Sequence, residues 1–286
     1  CSGTAAIIHV SDVITNQTCP NRFTLTRTYR ATDLCGNSTT CAQIITVFDN
    51  TAPSITCPDN LTVQCASLVP VPDPGSVITS DNCGGTTTVT FVSDAISNQT
   101  CVNRFIVTRT YRATDACGNS STCTQVITVF DNTAPVITFA DPLLQGIPNG
   151  GTVKVQCLGQ DPAWEIPELG AGSITTSDNC SGTVTVSFTD MLLDEGDCAT
   201  DGYINRYRLN WTATDACGNS STAFVFLELV DEIPPVFEGI PADTVVSCDA
   251  IPAPPVVTAT DECLCACDIT MVESQPLPGC QDGQII

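Results

Sequence analysis

The residues with the chemistry to act in this chain are its cysteines and aspartates, and both recur at fixed spacing. Cysteines 1, 19, 35 and 41 return at 83, 101, 117 and 123, each 82 residues later. Nineteen cysteines in 286 residues read as a disulfide framework made in an oxidising compartment outside the cytoplasm. The aspartates Asp49, Asp81, Asp115, Asp131, Asp178, Asp215 and Asp231 sit at turn positions, all but Asp231 with Asn or Gly within a few residues. Clustered carboxylates with Asn and backbone carbonyls are the hard oxygen donors that Ca2+ takes in sets of about six to eight; the bland use of the same residues is to cap tight turns, with Gly118 or Gly218 supplying a positive φ. His9 is the single histidine, so no repeated general base and no Ser–His–Asp or Cys–His arrangement can be assembled, and the chain is not read as an enzyme.

The elements that position these residues come in repeats. Residues 19–53 are written again almost unchanged at 101–135, and a diverged third copy carries Thr214-Asp215-Ala216-Cys217-Gly218-Asn219 and ends at Asp231-Glu232-Ile233-Pro234-Pro235. Such a period implies an array of small domains. The expected division is the C-terminal part of one repeat at 1–48, complete repeats at 49–130 and 131–230, and the N-terminal part of another at 231–286. Both ends are expected to be cuts within a longer array. The third repeat carries an insertion within 140–172, around Trp164, an aromatic that could stack on a sugar; Trp211 replaces Tyr111 and is expected in the core.

Short runs such as 104–111 and 123–130 are rich in Thr, Val, Ile and aromatics and are bounded by Gly, Asn, Asp and Pro. They predict strands, and an all-β tandem array of disulfide-stapled, immunoglobulin-like sandwiches. The motifs Asp49-Asn50-Thr51-Ala52-Pro53-Ser54-Ile55-Thr56-Cys57-Pro58 and Ala113-Thr114-Asp115-Ala116-Cys117-Gly118-Asn119-Ser120-Ser121-Thr122-Cys123 resemble the hyalin repeat (HYR) domain, and also the Ig-like repeats of giant bacterial surface adhesins. That resemblance implies an adhesive or structural protein and no particular ligand.

The third repeat tests one pairing. Phe139 stands where the second repeat has Cys57, and Ala223 stands where it has Cys123, so both cysteines vanish together and Cys57 is expected to bond Cys123. For the rest, a seven-strand sandwich with alternating strands brings Cys83 to Cys117 at one end and Cys65 to Cys101 at the other. The same rule pairs Cys1 with Cys35, Cys157 with Cys198, Cys180 with Cys217 and Cys248 with Cys280, and leaves Cys19, Cys41 and Cys263 with partners beyond the sequence. Cys265 and Cys267 have no counterparts and are assigned to extra local disulfides rather than zinc, because no fourth ligand stands at zinc spacing.

A net charge of −22 excludes nucleic acid and anionic lipid as partners, and no apolar run approaches the roughly 18 residues that span a bilayer. Eight of the nine basic residues, Arg22, Arg27, Arg30, Arg104, Arg109, Arg112, Arg206 and Arg208, fall on one strand of the repeat or its entry and are expected to pair with carboxylates across the sheet. The function read from all this is a structural or adhesive segment of a long extracellular protein forming a stalk, fibre or filament at a cell surface. Neighbouring copies are candidate partners and Ca2+ at the inter-repeat junctions the candidate cofactor. The alternative is a glycan-binding or enzyme-accessory module array.

Overall fold

The computed structural model describes residues 3–157, 168–180, 182–246, 252–253, 256–261 and 263. Trp164, Cys1, Cys248, Cys265, Cys267 and Cys280 lie outside them. The chain forms two compact units, one of residues 1–133 with 179–182, the other of residues 134–178 with 183–286. Their described residues hold strands, short 3-10 turns and no α-helix.

In the first unit, β1 (Ala6–Cys19), β2 (Arg22–Thr32) and β3 (Ser38–Phe48) make an antiparallel three-stranded sheet. Then come β4 (Ser54–Thr56), β5 (Leu61–Val63), β6 (Ile78–Ser80), β7 (Thr88–Cys101), β8 (Arg104–Thr114) and β9 (Ser120–Phe130). β4 pairs with β6, while β5, β9, β8 and β7 form a four-stranded sheet in that order, with β5 parallel to β9. This is a reduced sandwich. The seven-strand layout expected above places two strands between β7 and β8, whereas a tight hairpin at Val102–Asn103 joins them directly, pairing Cys101 with Arg104.

Strict alternation along β8 sends Phe105, Val107, Tyr111 and Ala113 inward, where Phe105 and Val107 meet Ile127 and Val129 of β9 beneath Val63, Ala66 and Val69. β2 carries nearly the same residues, and none of them is fully buried. The difference lies in the cover: β4, β6 and the turns around them overlie β7–β9 while β5 flanks β9, and no described element does the same for β1–β3.

The second unit repeats the plan with β10 (Val136–Phe139), β11 (Thr152–Gln156), β12 (Ile174–Ser177), β13 (Thr185–Glu195), β14 (Asn205–Thr214) and β15 (Ser220–Val230), followed by a small sheet of β16 (Val236–Glu238) and β17 (Thr258–Thr260). Trp211 is fully buried and donates its indole N–H to the Gly170 carbonyl at 2.8 Å. Phe139 packs edge-on to Trp211 with ring centroids 5.4 Å apart, and Trp211 lies opposite Ala223. In the first unit Tyr111 lies opposite Cys123, which is bonded to Cys57. The trio Cys, Cys and Tyr is thus exchanged for Phe, Ala and Trp: an aromatic contact occupies the space of a disulfide.

Candidate functional site: the disulfide junction between repeats

Each Asp-x-Cys-Gly-Asn turn is built by its aspartate. Asp115 Oδ1 accepts the backbone N–H groups of Cys117 and Asn119 at 2.8 and 2.9 Å, and Oδ2 accepts the Asn119 side-chain amide at 2.8 Å. Gly118 follows in the left-handed region, φ 86°, which a residue with a Cβ enters only with strain. Burial would raise the Asp115 carboxyl, but these hydrogen bonds outweigh it and hold it below its ordinary range. Asp33 and Asp215 make the same contacts. The turn projects Cys117 toward the preceding repeat, where it is bonded to Cys19 at the end of β1, Cα to Cα 5.1 Å.

Around that bond the first unit knits residues of two repeats. The Asn21 side-chain amide donates to the Cys83 carbonyl at 3.2 Å, Asp49 N–H donates to the Asn21 carbonyl at 3.0 Å, and Asn119 donates to the Asp49 carbonyl at 3.4 Å. Arg22 donates to the Asp49 carbonyl and lies 4.9 Å over the Phe48 ring. Its counterpart Arg104 does the same with Asp131 and Phe130. Asp49 is nearly wholly buried and turns Oδ1 to the Thr51 N–H. Asp81 accepts the Cys83 N–H through Oδ2, while its Oδ1 is buried with no hydrogen-bond partner. Asp49, Asp81 and Cys83 bring ligand atoms within 4.8 Å of one another. Desolvation, then the charges of Asp49, Asp81 and Asp115, push the Cys83 thiol up, so it stays protonated and a weak nucleophile.

The disulfides require several corrections. Cys57 and Cys123 are joined. Cys83 and Cys117 are not: Cys117 takes Cys19, and Cys83 is a free, exposed thiol. Nor are Cys65 and Cys101, because Cys65 is bonded to Cys180. That bond also removes the expected Cys180–Cys217 pair, and Cys157–Cys263 removes Cys157–Cys198. Cys35 is free, so Cys1–Cys35 is absent, and Cys41 is free as well. Cys101, Cys198 and Cys217 are disulfide-bonded, and the Cys248–Cys280 pair lies outside the described residues. The physical reason is the same for Cys117, Cys65, Cys180 and Cys157. The expected ends of the sandwich do collect cysteines, but cysteines of adjacent repeats meet there too, and bonds form across the junction.

Of the aspartates expected to share a cation, the structure brings Asp49 and Asp81 together, whereas Asp115 and Asp215 spend their oxygens on their own turns. Asp131 is buried and accepts the Thr133 N–H; Asp178 follows β12 in the other unit; Asp231 accepts from Gln156 and the Ile233 N–H. The arginines divide between two uses. Arg27–Asp12, Arg109–Asp94 and Arg206–Glu228 are cross-strand ion pairs, with Arg109 also donating to the Pro70 carbonyl. Arg206 and Arg208 also lie over Phe226 and Phe224, rings set diagonally across the adjacent strand, two residues from the Glu228 and Phe226 that face these arginines, a use that the sequence reading missed.

Fold and junction together define an all-β, disulfide-linked repeat protein of reduced sandwiches, made for an oxidising environment. A family model described as an HYR-like domain with 4 cysteines matches residues 53–129, and that stretch is a domain of HYR type. No curated protein matches the chain in sequence. Among solved structures, a protocadherin gammaB7 EC3-6 cis-dimer structure is similar over 86% of this chain and 71% of its own, at 14% identity and TM-score 0.30. Drosophila N-cadherin EC1-4 is similar over 79% of this chain and 67% of its own, at 14% identity and TM-score 0.29. No property of those proteins transfers at that level of similarity. No helix among the described residues is long and apolar enough to cross a membrane.

Proposed function

We propose that this chain is a structural segment of an extracellular repeat protein, a stalk or fibre element of a surface adhesin whose work is to remain continuous under attack and load. The supporting observation is the overlap of three disulfide loops. Cys19–Cys117, Cys65–Cys180 and Cys157–Cys263 each begin inside the loop closed by the one before. A single backbone cut anywhere between residues 19 and 263 therefore leaves both pieces covalently joined. The net charge of −22 keeps neighbouring molecules from clumping.

Limited proteolysis tests this reading. Protein nicked once is expected to run as one species on a non-reducing gel and to separate into fragments only after reduction. Fragments released without reductant would sink it.

A second use of the junction is cation binding, favoured by the buried, unpartnered Asp81 Oδ1 beside Asp49. These carboxylates would hold a Ca2+ ion and stiffen the junction, with the remaining oxygens coming from backbone carbonyls and water. With a Kd of about 1 mM, as in extracellular modules, about 2 mM Ca2+ would add roughly 0.6 kcal/mol. A calcium-dependent rise in melting temperature that is lost in Asp81→Asn is the expected result, and an unchanged melting temperature on chelation counts against it.

A further inference from the structure

Eight Asn-x-Ser/Thr triplets, the acceptor sequence for an N-linked glycan, are spread over the chain. The structure sorts them by what each asparagine already does. Asn37, Asn119 and Asn219 give their side-chain amides to Asp33, Asp115 and Asp215 in the Asp-x-Cys-Gly-Asn turns. Asn179 gives its amide to Gln64, and Asn60 accepts the Val126 N–H through Oδ1. Asn210 stands in mid-strand, paired with Thr189 on one side and Phe224 on the other. An acceptor amide must reach out of its own fold into a second protein's site, and these six side chains or their backbones are held in place.

Asn16 and Asn98 are free to do so. They are the same residue of successive repeats, in Asn16-Gln17-Thr18 and Asn98-Gln99-Thr100. Both asparagines and both threonines are exposed, and neither asparagine side chain makes a hydrogen bond to another described residue. The ladder slips beside each of them: β1 loses its register with β2 between Thr15 and Cys19, and β7 with β8 between Ser97 and Cys101. The backbone leaves the extended form there, with φ 53° at both asparagines, the only described residues besides glycine in the left-handed region. Asparagine enters that region more readily than most residues. Each sequon thus bulges from its strand with the amide unused and the hydroxyl open to solvent.

Resting on the extracellular reading above, we propose that Asn98 and Asn16 carry N-linked glycans. In the transfer, Asn98 Nδ2 attacks the anomeric carbon of an oligosaccharide activated as a lipid diphosphate. The bond formed is nitrogen to carbon, and the bond broken is carbon to diphosphate oxygen. The bonding pair leaves with the diphosphate, and the amide gives up one proton to a base of the transferase. The Thr100 hydroxyl is the second group of the acceptor sequence. The place also suits the sheet: β7 is an outer strand, paired with β8 on one side only, and it exposes Phe91, Val92 and Ile96. An open apolar edge invites pairing with another sheet, and a glycan rooted in it blocks that approach. β13, the matching edge of the second unit, holds no sequon and carries Asp190, Asp194 and Glu195 instead, so charge guards that edge.

Peptide mapping of the protein from the cells that make it, after glycan release by peptide-N-glycosidase in heavy-oxygen water, tests the assignment. The enzyme converts each glycosylated asparagine to an aspartate that carries the heavy isotope. Label is expected at Asn98 and Asn16 and not at Asn37, Asn119, Asn179 or Asn219. No label at Asn98, label at Asn119 as strong as at Asn98, or label that appears equally without the enzyme would each overturn the proposal. In the same cells Asn98→Gln and Thr100→Ala are each expected to lose one glycan by gel mobility, and Thr100→Ser to keep it. A Thr100→Ala protein that keeps all its glycan would sink the assignment, and the map of the unaltered protein decides alone if a variant loses the Cys57–Cys123 bond. Unlabelled protein that still holds its nicked pieces together would end the glycan proposal and leave the structural function standing.

Discussion

Replacing Cys19 and Cys117 together with serine is expected to lower the stability of the first unit by about 4 to 5 kcal/mol, and replacing Cys57 with Cys123 to do nearly the same. The sequence separations are 98 and 66 residues. Loop-closure entropy grows only with the logarithm of loop length, so the longer bond gains a few tenths of a kcal/mol over the shorter. A unit of this size would lose roughly 15 to 20 °C in melting temperature. The controls are in the molecule: Cys35, Cys41 and Cys83 are free and exposed, and serine there should change stability by no more than about 0.5 kcal/mol. Thermal denaturation of the five variants reads the contrast. Equal losses at Cys83 and Cys117 would show that the cross-repeat bond does not form.

Tyr111→Ala is expected to cost about 4 kcal/mol and Tyr29→Ala about 1 kcal/mol, although the two tyrosines sit in strands that differ at two positions out of eleven. Tyr111 is 1% exposed, packs edge-on to Phe91 and accepts the Asp73 N–H at 3.1 Å. Its removal leaves a cavity and takes away the acceptor of the Asp73 N–H. Tyr29 is half-exposed and lies edge-on to His9, so water reaches the space that its loss creates. Denaturant unfolding separates the two. Equal losses would mean that β1–β3 is covered as fully as β7–β9.

The contrast also marks how far the candidate junction could be read in advance. The Asp-x-Cys-Gly-Asn turn was legible, because a short side chain accepting its own following N–H groups is a local matter of three or four residues. The bond between Cys57 and Cys123 was legible through the joint replacement by Phe139 and Ala223. The partner of Cys117 was not. Cys19 and Cys83 both come to that end of the sandwich, and the choice between them rests on how one repeat follows the next, which no spacing within a repeat encodes. Asp115 looked like an open ligand because its type allows one, and it is closed because its own turn uses both oxygens.

Strand positions, the 82-residue repeat, the acidic charge and an oxidising environment all follow from the order of residues in this protein. They depend on side-chain alternation, copied segments and composition, and these are properties of neighbours in the chain. Burial and bonding do not follow from that order. Two nearly identical strands, Arg22–Thr32 and Arg104–Thr114, differ in burial at every inward-facing position, and identical cysteines are bonded in one copy and free in another. A side chain is buried by what lies over it, and a disulfide forms with whichever sulfur folding brings within reach; both are set by distant segments meeting in space.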